Sequence, residues 1–409
     1  MFDVFKSSHS LIDEWNVKSS ICAMCFDTTS SDTGRLNGAC IRVERDYLAH
    51  KVFWLACRHH VSELLIGAAW YALFTEDPGP DNKDFKHVKD SWPDMEISSD
   101  STYKKLTLRS PFLRELKSSA IEFYTQILSS PDKNGLLPRD DYKELAETSL
   151  ILLGGSPPGG ISWKKPGAVH KARFMANSLY SNVMYAFQDS LQYDETLLTP
   201  LRRFVVFNTL IYAPHFLSAS FGADAPMNDL KLFKLLCAYK SVDRELADKV
   251  LEKFQLHLWY LTEEAVVLSL FSFKLEADEK SRIAARLLTF PVPSSLEPGK
   301  PAFPKIELST QLVDLVGPKS WLLFNLLGVD HSWLEKDVSL WEEDDSFRLT
   351  EAFARSVKTV NDTAERGVKM MTDYAQILSK DDSVRELILQ GVERHRFKFP
   401  NFDKKTLNS

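Results

Sequence analysis

Asp27 and Glu365 are the residues of this chain whose type and setting point most directly to chemistry. Asp27 closes the run Ile21-Cys22-Ala23-Met24-Cys25-Phe26 and is followed by Thr28-Thr29-Ser30-Ser31. A short apolar run bounded by turn residues reads as a buried strand. An acid at its end faces the loops where α/β sheets place ligands. Two-metal phosphoryl chemistry needs carboxylates converging on Mg²⁺ or Mn²⁺, and a strand end holds such an acid rigidly. The structural alternative is an Asx-turn completed by Thr28 and Thr29. Glu365 borders an apolar stripe of Phe353, Val357, Val360, Ala364, Val368, Met371, Ala375 and Leu378, which has helical spacing. Asp362 lies on the same flank. The alternative for Glu365 is a solvated i,i+4 pair with Lys369.

Cys57 and His60 stand one helical turn apart and can point the same way. A second Cys/His pair at zinc-site spacing is missing from the sequence. Cys22 and Cys25, three apart in a strand, face opposite sides and do not chelate as they stand. Core packing is the reading of each pair taken alone. Asp32-Thr33-Gly34 matches the bare triplet of aspartic proteases, but Ser-Ser precedes it where an apolar run is needed. Asp32 and Asp362 remain as further acids for a metal-dependent nuclease. The best basic patch runs from Trp163-Lys164-Lys165 to Lys171 and Arg173, where cations beside an aromatic can hold a DNA backbone. A solvated loop is the alternative. Arg394-His395-Arg396-Phe397-Lys398 is a second patch.

These residues need a scaffold, and the chain divides into three kinds of pattern. Residues 1–75 read as α/β: a short helix, the strand ending at Asp27, a helix or strand over 39–43, the apolar run Val52–Ala56 and a helix through Val61, Leu64, Leu65 and Ala68. Residues 76–290 carry helical periodicity in segments 112–130, 141–153, 168–191, 199–213, 228–240, 242–258 and 262–289. Thr262-Glu263-Glu264 reads as a helix N-cap with acids in its first turn. A Pro-rich linker covers 291–304, and residues 305–409 return to helices. The expected fold is mostly α with a small α/β part.

Bulk properties exclude several classes. The 409 residues are 44% hydrophobic and 26% charged, ordinary for a globular protein. No apolar stretch approaches the roughly 18 residues of a membrane span. Five cysteines suit a reducing compartment, so a nuclear or cytoplasmic location is expected rather than a secreted one. A net charge of −6 argues against a whole-surface grip on nucleic acid and leaves only local patches.

Taken in order, these segments resemble hAT-like DDE transposases and the transposon-derived proteins related to them. The resemblance implies a partial ribonuclease-H-like domain interrupted by a large all-helical insertion, with three catalytic acids, the last beyond the insertion. Asp27 matches the second acid, which ends a strand. Cys57 and His60 match a Cys-x-x-His motif opening a helix. Arg173-Phe174 stands where the family has Arg-Trp, and Ala364-Glu365-Arg366 where it has a Ser-Glu-Arg-like motif containing the third acid. The implied function is DNA cleavage and strand transfer with Mg²⁺ or Mn²⁺ on Asp27 and Glu365, and Cys57, His60 and Arg366 in support. The first acid belongs upstream of Asp27. Only Asp3 and Asp13 precede it, neither in a strand pattern, so an N-terminally truncated, impaired enzyme is expected. The alternative is a non-enzymatic domesticated protein that binds DNA, a protein partner or its own copies.

Overall fold

A computed structural model describes residues 4–34, 36–79, 81–97, 103–129, 137, 139–167, 176–357 and 359–360. Among them the chain is mostly helical, with one small sheet. Strands β1 (Ala23–Phe26) and β2 (Phe53–Ala56) pair in parallel, Ala23 opposite Phe53 and Phe26 opposite Ala56. β2 is buried along its whole length, as a strand covered on both faces must be, and a continuous apolar run therefore replaces polar alternation. Phe26 and Trp54 meet edge to face at 5.5 Å, and Trp259 from the helical part stacks at 6.2 Å on Trp54. The front sheet and the helical body thus share one core.

Helix α1 (Val4–Glu14) precedes β1. The segment between the strands is helical: Ser30–Thr33, then Ala39–Arg42 running into a π-helical turn over Val43–Leu48. The Asp32-Thr33-Gly34 triplet has a local role there. Thr33 Oγ1 donates to the Thr29 carbonyl, and Gly38 packs so closely that a Cβ on it would lie 2.5 Å from the Gly34 nitrogen.

β2 leads directly into α2 (Arg58–Leu73), and α3 (Lys83–Ser91) follows, capped by Asn82, whose Oδ1 accepts from Asp84 N and Phe85 N. The body is a succession of packed helices: α4 (Pro111–Ser129), α5 (Asp140–Leu152), α6 (Ala176–Ala186) and α7 (Glu195–Phe207), each against the next. A π-helical turn at Asn208–Tyr212 and the short helix Ala213–Leu217 extend α7. Helices α8 (Ala225–Tyr239) and α9 (Arg244–Phe254) pack together, and α9 also lies against α2. Burial on α9 falls on Leu246, Ala247, Val250, Leu251 and Phe254, a stripe at helical period. Each large side chain so buried contributes about 1.5–3 kcal/mol. Asp243 caps that helix by accepting from Leu246 N.

The segment 262–289, which reads as one helix by periodicity, is divided. Val266–Phe271 is a 3₁₀ helix, and α10 begins only at Ala277 and ends at Leu288. Ser272 Oγ, between them, donates to Asp224 at 2.6 Å and accepts from Lys274 N. The tertiary bond captures the backbone where local pattern would continue the helix. Thr262 is likewise no side-chain cap, since its Oγ1 donates to the Trp259 carbonyl. The Pro-rich stretch 291–304 lies against the body: Gly299 N donates to Glu44, and Phe303 meets Trp259 edge to face at 4.8 Å. Beyond it come short 3₁₀ turns, the helix Leu322–Leu327 and α11 (Asp345–Ser356), capped by Asp344.

Candidate functional site

The site forms where the two strands end. Phe26 is the last residue of β1, and its carbonyl accepts from Cys57 N at 2.8 Å. That bond sets Asp27 beside the first turn of α2. His60, the third residue of that helix, places Nε2 3.2 Å from Asp27 Oδ2, with both side chains partly exposed. An imidazole and a carboxylate in contact at an accessible strand end can share a proton or offer two donors to a divalent cation. Asp27 therefore has a defined partner beyond any local turn.

Cys57 takes a different course. It occupies the N-cap position of α2 and is fully buried, outside any disulfide, so it supports the turn from below while His60 is partly exposed. Among the described residues no group of three or more His, Cys, Asp or Glu side chains converges to hold a metal. Asp32 lies on the short helix after Asp27, where the Thr29 hydroxyl donates to it at 2.8 Å. Asp13 on α1 accepts from the Tyr47 hydroxyl and stands 3.5 Å from His9. Glu365, Arg366 and Asp362 lie outside the described residues, as do Lys171, Arg173 and the basic patch at 394–398.

The approach of the C-terminal part is nevertheless on view. Arg58 N, in the same helical turn as His60, donates to the Thr359 carbonyl at 2.8 Å, while Thr359 Oγ1 donates to the Ala219 carbonyl. The chain following α11 thus docks on the front α/β part at the helix that carries His60.

Arg58 is the feature that motif reading passes over. It is almost completely buried, and its guanidinium pairs with Asp229 on α8, donates to the Ala219 carbonyl at 3.2 Å and lies 5.6 Å from the Tyr260 ring centre. Burial pushes the Asp229 carboxyl up, and the adjacent Arg58 charge pulls it down only in part. Tyr260 in turn donates to the Ala56 carbonyl at the end of β2. Its phenol is driven well above the usual range, chiefly by burial. Glu44 is the second such residue. Fully buried, it accepts from Val52 N, Trp54 Nε1 and Gly299 N and pairs with Lys51 at 3.2 Å. Arg58 and Asp229 are 171 residues apart, and Glu44 sits among Arg42, Arg45 and Asp46 like any solvated charge run. Neither leaves a local signal in sequence.

The basic patch is resolved in part. Lys164 and Lys165 are exposed, whereas Trp163 is buried between Tyr103 and Phe187. That indole offers no face for a nucleic-acid base to stack on, and of these three side chains the two lysines alone face solvent. Comparison with family models, curated proteins and solved structures finds no match to this chain.

Proposed function

We propose that this chain is a transposase-derived protein whose DNA-processing site is centred on Asp27. The observation that supports this is the docking of Thr359 on the turn that carries His60, next to the Asp27–His60 pair. Glu365 is six residues further along, a reach of at most about 20 Å of extended chain. In this reading the small sheet is the remnant of a ribonuclease-H-like domain, and the helices from α3 to α10 are the insertion. Asp27 and Glu365 supply oxygen ligands for Mg²⁺ or Mn²⁺, and His60 fixes the Asp27 carboxylate. In this reading DNA cleavage and strand transfer are the chemistry that metal-bound carboxylates at this site would serve.

Mn²⁺ titration of the full chain followed by electron paramagnetic resonance tests this reading, with Asp27→Asn and Glu365→Gln beside the parent. Uptake by the parent that is lost in both variants is the expected result. Uptake unchanged by either substitution sinks it. A second reading, a non-enzymatic DNA-binding protein, is favoured by the exposed Lys164-Lys165 pair. It requires that DNA affinity fall in Lys164→Glu/Lys165→Glu, while Asp27→Asn leaves it unchanged.

A further inference from the structure

A groove of about 1240 Å³ opens between α4 and α8, remote in role from the Asp27 pair. Leu116 and Phe123 line one wall, Met227 and Leu235 the other, and Leu210 and Pro214 lie at its base. The wall side chains are half-buried apolar groups, so the folded chain leaves them only partly covered. The volume exceeds the roughly 300–1,000 Å³ typical of small-molecule pockets, and the trough is bounded by helices of 19 and 15 residues. Its dimensions suit a chain segment.

Cations outnumber acids among the charged groups on the rim. Lys231, Lys234, Lys274 and Arg355 line the groove against Asp224 and Glu279, in a chain whose net charge is −6. Lys274 is paired with Asp224 at 2.8 Å. Arg355 is held by Glu351 and lies over the exposed Phe273 ring at 3.2 Å. Lys231 and Lys234 on α8 form no ion pair among the described residues. One turn before Lys231, Asn228 presents a buried Nδ2 that finds no acceptor among the described residues. A buried donor left unsatisfied costs about 1–3 kcal/mol.

We propose that this groove receives an amphipathic helix with acidic margins from a protein partner. Lys231 and Lys234, at i,i+3, match the spacing at which acids recur along one flank of a helix. Apolar residues at i, i+3, i+4 and i+7 fill the trough, as in other helix-in-groove complexes. A single-headgroup amphiphile would meet one cation and leave the second unused. The inference stands apart from the DNA-processing site and survives its failure.

The test is fluorescence anisotropy of the full chain with a labelled synthetic peptide of about 15 residues, ~22 Å long as a helix. The peptide carries Leu on one face and Glu on both margins, and a control carries Lys in place of Glu. Saturable binding of the Glu peptide alone is expected. Lys231→Glu/Lys234→Glu should weaken it about tenfold or more and create affinity for the Lys peptide, since like charges at an interface exclude partners. Circular dichroism establishes that the variant is folded. Absence of saturable binding, equal binding of both peptides, or indifference to the double substitution overturns the proposal. So does displacement of the peptide by equimolar dodecanoate, which would mark a site for amphiphiles. Cross-linking of residues 361–409 into the groove would overturn it in favour of the chain's own tail.

Discussion

Two side-chain pairs with carboxylates, Arg58–Asp229 and His60–Asp27, are rooted in the same turn of α2, and they have opposite fates. Arg58 points inward to Asp229 with almost no solvent contact, whereas His60 points outward to Asp27 where both partners meet water. The inward pair sits beneath hydrogen bonds that tie α2, the Ala219 carbonyl after the helix Ala213–Leu217, and the Thr359 segment together. It is a structural lock. The outward pair stands at an accessible strand end, with both side chains partly exposed. Burial, more than residue type, separates the two pairs.

The largest way to break this contrast is to remove one inward partner. Asp229→Ala should destabilise the chain by about 3–5 kcal/mol, because it leaves the Arg58 charge buried without its counter-ion. Urea unfolding measures the loss. Arg58→Met combined with Asp229→Leu should recover most of it, since apolar packing replaces a charge that is costly to bury. If the single variant costs under about 1 kcal/mol, the pair is no lock.

Acid should act next. Burial, reinforced by the Arg58 and His59 charges, holds the His215 imidazole well below its ordinary range, and burial with Lys253 and Lys300 lowers His257 to about 4. Both are neutral when folded but take up a proton below about pH 6.5 when unfolded. Their contribution to stability is therefore full above pH 6.5 and declines as pH falls, for His257 down to about 4. The slope is up to about 1.4 kcal/mol per pH unit for each histidine. The urea midpoint should fall between pH 7.5 and 5, and His215→Gln should flatten that fall. A midpoint unchanged by acid would show that these imidazoles titrate normally.

The smallest effect is the sharpest test of the outward pair. Asp27→Asn should change stability by less than about 1 kcal/mol, as for exposed ion pairs, while abolishing Mn²⁺ uptake. A loss comparable to that of Asp229→Ala would place Asp27 with the lock.

Much of this arrangement was legible from local pattern. The strand ending at Asp27 and the helix opening near His60 both follow from apolar runs stopped by polar residues. What was hidden depends on partners distant in sequence. The 262–289 segment reads as one helix because its periodicity is local, whereas Ser272 answers to Asp224. The Pro-rich stretch reads as a linker because nothing near it announces that Glu44, 255 residues away, bonds Gly299 N. Trp163 looks like a stacking platform beside Lys164 and Lys165 until Tyr103 and Phe187 enclose it.

The sequence by itself determined the helix-rich class, the short apolar strands, the acid at a strand end and the placement of Cys57 and His60 one turn apart. These are consequences of side-chain period and turn chemistry, which act over a few residues. Only the tertiary structure decided that His60 meets Asp27 while Cys57 turns inward, that Arg58 finds Asp229, and that α4 and α8 leave a basic-rimmed trough between them. Those outcomes rest on which charges lose their water and which apolar faces find cover. Both are properties of the packed chain and of no single segment.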